Sequence, residues 1–291
     1  MDKSSAILTG DIIRRERQWR KTKSHIRKYE KNIEKKAFVP YVDKVIHPNV
    51  KMNKTIWVFW FQGMEHAPTI VKKCIETIEI NKPEEFEVTY ITRENINEYV
   101  QFPEYINKKL KNGKISLTHF SDLLRVELLH SYGGLWIDAT VYCAGKIPGY
   151  MCSGEIFTFR WSLLDCSVVN ISNWWMYAAR GQRIISDTRN ILLEYWKYEN
   201  KIRDYYLFHI IFSMAKDRNI VNRSSFSKMV YANNSEPQIL FGKLEQQFDR
   251  KEWDIIRNKM PIQKLSYKKR IIQGDLYNYY TALMEGNLVG Q

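Results

Sequence analysis

The chain has 291 residues, 44% of them hydrophobic, and carries 45 Lys and Arg against 32 Asp and Glu, a formal net charge of +13. A chain of this length buries a sizeable core as one large domain or two small ones, and its basic balance points to an anionic partner or surface. No run of about eighteen apolar residues occurs and the N-terminus is too charged for a signal peptide, so neither membrane spanning nor secretion is expected, and the expected address is the cytoplasm.

The first 36 residues hold twelve Lys or Arg against five Asp or Glu. Ile12, Ile13, Trp19, Ile26, Tyr29 and Ile33 recur among these charges at roughly helical steps, which predicts a basic amphipathic helix over residues 1–36. Three roles compete for it: a solvated extension with a thin apolar stripe on the main domain, a contact with an anionic leaflet, and, least favoured, nucleic acid. Ala37 to Asn53, with Pro40 and Pro48, reads as an extended linker.

The main domain, 37–291, begins its regular structure near Lys54. Thr55 to Phe61 is β-branched and aromatic without alternation, as in a strand covered on both faces, and Gln62-Gly63 ends it. Pro68 suits a first helical turn, with Ile70, Val71, Cys74, Ile75 and Ile78 as its stripe and Asn81-Lys82-Pro83 as its stop. Phe86 to Ile91 alternates as a second strand, and short helices are expected over Thr92–Val100 and Pro103–Leu110. Further on, Ile156–Trp161 and Ser167–Ile171 read as strands, and Asn173–Arg180, Ile184–Tyr198 and Tyr205–Ala215 as helices. Residues 222–252 are weakly patterned, and no internal repeat appears. Strands alternating with helices predict an α/β fold, a mostly parallel central sheet flanked by helices, with ligands at the carboxyl ends of its strands. Cys74, Cys143, Cys152 and Cys166 lack metal-type spacing and read as reduced thiols.

The segment Ser116 to Val141 carries the most chemistry. Phe120, Leu123, Leu124, Val126, Leu128 and Leu129 give it helical periodicity, and Tyr132-Gly133-Gly134 reads as the C-cap. A strand follows with Leu135, Trp136, Ile137 and Val141, and Asp138 sits among them. Burying an unpaired carboxylate costs several kcal/mol, so a metal or ligand is expected beside it. Asp122 and Arg125 share a helix face with His119, one turn earlier. An Arg fork suits phosphate or carboxylate, and an Asp accepts from sugar hydroxyls.

SDLLRVELLHSYGGLWIDAT resembles the S-D-x-x-R-x-x-x-L-x-x-x-G-G-x-[WY]-x-D-x-D signature of glycosyltransferases related to the yeast-type α-1,6-mannosyltransferases and the glucosylating clostridial toxins. It is most similar to their bacterial capsular polysaccharide synthesis branch. TIWVFWFQG with APTIVKKCIETI resembles that branch's first strand and helix, and PIQKLSYK its closing segment, so the likeness spans most of residues 54–270. The resemblance implies a GT-A type fold, a nucleotide-sugar donor, UDP-linked in preference to GDP-linked, and hexose transfer to a hydroxyl with retention of configuration. It implies that Asp122 and Arg125 hold the donor sugar and that Asp138 is the first acid of an Asp-x-Asp motif. Trp60, with Trp57 as the fallback, would stack on the base. Apart from the resemblance, Gly63 and Gly134 are candidates at the donor, and Lys264 is a reasonable diphosphate contact that is also readable as one lysine of a basic tail. The implied cofactor is Mn²⁺ or Mg²⁺, hard cations suited to oxygen ligands.

One position departs from the pattern, because Thr140 stands where the second acid should be. Either a metal leans on Asp138, Thr140, water and the diphosphate, or Lys264 or Arg side chains replace it. His119, Asn173, Trp174 and His209 are candidates for the acceptor side, with His209 and Trp174 equally readable as core residues. The expected acceptor is a capsular or surface glycan, lipid-linked, which would bring the enzyme to the inner face of the plasma membrane through residues 1–36. The alternative is a relative that has lost turnover through Thr140 and binds a glycan or nucleic acid.

Overall fold

A computed structural model describes residues 3–35, 47–161, 169–268 and 277–288. Along the chain run α1 (Lys3–Lys35), β1 (Thr55–Phe59), α2 (Thr69–Asn81), β2 (Glu87–Ile91), α3 (Ile96–Tyr99), α4 (Glu104–Lys111), α5 (Leu117–Ser131), β3 (Gly134–Asp138) and β4 (Val141–Cys143). Then follow β5 (Ile156–Arg160), β6 (Ile171–Ala178), α6 (Arg183–Tyr198), α7 (Leu207–Asp217), α8 (Ile220–Ser227), α9 (Ile239–Lys243), α10 (Arg250–Lys259), β7 (Ile262–Lys264) and α11 (Tyr279–Met284). Residues 37–46 of the expected linker, Cys166 and the side chain of Ile12 lie outside the described residues.

The main sheet has the order β2-β1-β3-β6-β5. β1 pairs parallel with β2 and β3, whereas β6 pairs antiparallel with β3 and β5. The mostly parallel sheet expected from sequence is therefore mixed. The reason is local: β6 begins at Ile171, soon after β5 ends at Arg160, and antiparallel neighbours need no long helical crossover. The segment read as a helix over Asn173–Arg180 is strand through Ala178, the end of β6, where aromatic residues pack well on a covered pleated surface.

Alternation across the three central strands builds two cores. Ile56, Val58, Leu135, Ile137, Trp175 and Tyr177 join one apolar cluster with α2 and α10. Trp57, Trp136, Met176 and Ala178 join a second with α5, α6 and α7. α1 packs on α6 and α7 and adds Trp19, Ile26, Tyr29 and Ile33 to the second cluster, a stripe at seven-, three- and four-residue steps. That contact is pinned by Glu199, which accepts from Tyr29 Oη and lies 2.7 Å from His25 Nε2. Burial alone would raise the Glu199 carboxyl, but the Tyr29 and His25 hydrogen bonds and the Arg203 charge hold it down at about 2. Among the described residues no helix is long and apolar enough to cross a membrane.

The turn from α5 into β3 needs its two glycines. Gly133 (φ 70°) and Gly134 (φ 101°) take positive φ, and a Cβ on Gly134 would lie 2.3 Å from the Thr55 carbonyl oxygen. These glycines let β3 close against β1 immediately after the helix. They thereby bring Asp138 level with Phe59 at the ends of the two strands.

Candidate active site

A cavity of about 640 Å³ opens where β1 and β3 end and β6 begins. Ligand sites of α/β sheets lie at such carboxyl ends, and the volume falls in the range of small-molecule sites. Trp60, Phe61 and Gln62 reach it from the end of β1, Asp138 to Thr140 from the end of β3, and Ser172 to Trp174 from the start of β6. α5 and α7 supply His119, Asp122, Arg125 and His209, and the segment after β7 supplies Ser266 and Tyr267.

The α5 face is a dense charged network. Ser116 caps the helix by accepting from the His119 amide, which fixes the first turn and the face that follows. Asp122 Oδ1 accepts from Arg125 Nη1 at 2.5 Å and from Asn173 Nδ2 at 2.8 Å, and its Oδ2 lies 3.5 Å from His119 Nδ1. Burial pushes the Asp122 carboxyl up, but the Arg125 charge and the hydrogen bonds from His119 and Arg125 outweigh it, so the group stays ionised below the ordinary carboxylate range. Arg125 is only 2% exposed. Its guanidinium carbon lies 4.8 Å from the Trp136 ring centroid and 5.3 Å from that of Phe208, and Nη2 reaches Asp138 Oδ1 at 3.4 Å. It joins the two carboxylates of the cavity. His209 lines the same wall, and burial, reinforced by the Arg125 charge and opposed by that of Asp122, lowers it to about 4, so its imidazole is neutral at physiological pH.

The other half is assembled by the β4-β7 ribbon. Val141 pairs with Lys264, and the Leu265 amide donates to the Thr140 carbonyl at 2.8 Å. This register sets Lys264 Nζ 2.5 Å from Thr140 Oγ1 and 3.4 Å from Asp138 Oδ2. The opposite oxygen of Asp138 accepts from Trp136 Nε1 at 2.9 Å. A divalent cation of the Asp-x-Asp kind asks for hard, anionic oxygen donors with lone pairs to spare. Here the candidate donors are one carboxylate and one neutral hydroxyl, both engaged, and an ammonium lies against the two. Among the described residues no group of three or more His, Cys, Asp or Glu could hold a metal. The residues present do not fit the cation.

A family model described as capsular polysaccharide synthesis protein matches residues 10–283. The chain belongs to that family. Similar proteins include the O-glycosyltransferase braB of Annulohypoxylon truncatum, 27% identical over 55% of this chain and 41% of that protein, and the O-glycosyltransferase PaGT of Phomopsis amygdali, 22% identical over 49% and 39%. The chain thus spans about two fifths of the length of the curated relatives it matches. Among solved structures, the PaToxG glycosyltransferase is similar with a TM-score of 0.40 and 13% identity, over 72% of this chain and 83% of that one.

Within this family member, the structure brings together Asp122, Arg125, Asp138, Thr140, Trp60, Lys264, His119, Asn173, Trp174 and His209 around one cavity. Three other expected residues are not among its lining. Trp57 is fully buried, donates from Nε1 to the Gly133 carbonyl at 2.9 Å and packs on Tyr99 and Tyr132, because the strand pleat turns it into the α5 core. Gly134 serves the approach of β3 to β1, and Gly63, with φ 91°, the turn after β1. Trp174 lines the cavity stacked on Phe159 at 4.8 Å, while its neighbour Trp175 is wholly core. Sequence reasoning missed Tyr267, which stands edge-on to Trp60 at 5.1 Å, although it lies in the same PIQKLSYK segment as Lys264. It also missed Trp161 and Tyr205, 37% and 72% exposed at the cavity, which it placed at the ends of an expected strand and helix without a site role.

Proposed function

We propose that this chain is a GT-A type retaining glycosyltransferase that transfers a hexose from a nucleotide-sugar, UDP-linked in preference to GDP-linked, to a hydroxyl of a capsular or surface glycan. The observation that carries the reading is the single cavity that sets Asp122, Arg125 and Asn173 on one wall and Asp138 and Lys264 on the next. A buried carboxylate with an accessible cavity edge suits the hydroxyls of a sugar, and an ammonium suits the diphosphate. Trp60 and Tyr267, edge-on to one another in the same cavity, offer aromatic surface for the base. The family and the naming of its relatives as glycosyltransferases support the same reaction class.

In this reaction the acceptor oxygen forms a bond to the anomeric carbon on the face from which the diphosphate leaves. The carbon–oxygen bond to phosphate breaks, and the acceptor proton passes to the departing phosphate oxygen. A double displacement would need a free carboxylate nucleophile. Asp122 and Asp138 are the carboxylates among the described lining residues, and each is held by at least two donors. Transition-state stabilisation then falls to preorganised charge, since the leaving diphosphate gains negative charge that Lys264 faces. The test is a hydrolysis panel of UDP- and GDP-hexoses, scoring nucleotide release by wild type and by Asp138→Asn. Release of a nucleotide by wild type and its loss in the variant is the expected result, and no release from any donor contradicts the proposal.

The acceptor we propose is lipid-linked, with the protein on the inner face of the plasma membrane. α1 supports this: its apolar stripe is spent on α6 and α7, leaving a highly basic helix surface for an anionic leaflet, where each basic residue adds on the order of 1 kcal/mol. Co-sedimentation with phosphatidylglycerol vesicles, compared with phosphatidylcholine vesicles, checks it. Binding to the anionic vesicles alone is expected, and equal binding to both would contradict it.

A further inference from the structure

We infer that Lys264 replaces the divalent cation of the Asp-x-Asp motif, so that donor diphosphate is bound and stabilised without metal. The inference rests on the donor reading above and concerns how the diphosphate end of that site is built. Its first support is placement. The register of β4 on β7 fixes Lys264 Nζ 2.5 Å from Thr140 Oγ1 and 3.4 Å from Asp138 Oδ2, between the two side chains at the motif positions. The second is charge balance. Two carboxylates with a divalent cation sum to zero, and so do one carboxylate, one neutral hydroxyl and one ammonium. The exchange of an acid for Thr140 is therefore matched by an exchange of two positive charges for one, and neither change makes electrostatic sense alone. A second carboxylate at position 140 would have tied up the ammonium, whereas a hydroxyl anchors it and leaves its charge for the ligand.

The third support is spare donor capacity. Among the described residues Thr140 is the acceptor at close range to Lys264 Nζ, while the Leu265 carbonyl and Asp138 stand at 3.3 Å and 3.4 Å. Charge-assisted N–H to O bonds settle at about 2.7–2.9 Å, so a phosphate oxygen displaces either of the looser contacts with gain. The Lys264 side chain is 20% exposed and lines the cavity, so an oxygen has access to it. On the opposite side Arg125 and Trp136 hold Asp138 Oδ1, which keeps the carboxylate turned toward Lys264 and away from a bidentate approach to a metal.

The test is calorimetric titration of UDP and GDP, with uridine and guanosine as references, into the whole chain in EDTA and in excess Mn²⁺. The wild type should bind one diphosphate with the same affinity, within about twofold, in both buffers. Lys264→Met should weaken that diphosphate by roughly ten- to hundredfold, the worth of a charged hydrogen bond, while leaving the nucleoside unchanged. Lys264→Arg, which keeps a cation, should retain most of the affinity, and equal melting temperatures show that the ribbon is intact. Wild-type affinity that rises tenfold or more with Mn²⁺ overturns the inference and leaves the donor reading standing. If neither diphosphate binds in either buffer, the donor reading itself fails and the inference with it.

Discussion

The two walls of the cavity are built on different plans. On the α5 side, Asp122 and Arg125 lie three residues apart on one helix, both are nearly inaccessible, and they hold each other as tightly as they could hold a ligand. On the ribbon side, Asp138 and Lys264 are far apart in sequence, their side chains are 29% and 20% exposed, and their mutual contact is loose at 3.4 Å. The first wall is part of the buried framework as well as of the cavity lining. The second leaves its charges partly accessible, as the proposed donor site requires. Substitutions on the first should cost stability as well as activity, and those on the second activity alone.

The hardest strain on this comparison comes from Arg125→Ala. It strips the guanidinium from two carboxylates at once and leaves Asp122 buried with an uncompensated charge, which typically costs about 3–5 kcal/mol. Chemical denaturation should show that loss, and activity should vanish with it. Next in size, Asp122→Asn keeps the shape and loses the anion, so kcat/KM for the donor should fall on the order of a hundredfold with a smaller loss of stability, as expected when a charged hydrogen bond to the sugar is lost. On the ribbon side, Thr140→Asp with Lys264→Ala should fold like the wild type and acquire a Mn²⁺ requirement for diphosphate binding. A double variant indifferent to Mn²⁺ would break the charge-balance argument. Trp60→Ala should weaken nucleotide by roughly ten- to hundredfold if the base stacks there.

The smallest expected effect is a slope. His209 is held neutral at about 4, below the ordinary histidine value of about 6.5, so the unfolded chain binds the proton first. Above about 6.5 the group adds nothing to pH dependence, and between about 6.5 and 4 its contribution to stability is lost as pH falls. Thermal melts across that window should show the decline for wild type, and His209→Asn should flatten it.

How much of this could be read in the sequence follows from how local each feature is. The α5–Gly-Gly–β3 segment was legible because capping, helical periodicity and a left-handed turn are written in neighbouring residues. The pairing of Asp122 with Arg125 followed from helical spacing. The bond from Asn173 to Asp122 did not, since it spans 51 residues and depends on β6 being a strand, where single-sequence patterning suggested a helix. The mixed sheet was hidden for the same reason: antiparallel return of β6 is decided by sheet pairing, not by composition. Trp60 was preferred to Trp57 only through the resemblance, and the strand pleat separates them into cavity and core. Lys264 was visible as a basic residue, but its place between Asp138 and Thr140 is fixed by the register of a three-residue ribbon that no local pattern reveals.

We propose that the two walls grip different parts of one ligand. This is tested most directly by comparing affinities for the nucleoside diphosphate and for its hexose conjugate in Asp122→Asn and Lys264→Met. Asp122→Asn should weaken the sugar conjugate and leave the bare diphosphate unchanged, whereas Lys264→Met should weaken both by the same factor. If Asp122→Asn weakens the diphosphate as much as its conjugate, the α5 wall does not hold the sugar, and the division of the cavity proposed for this protein is wrong.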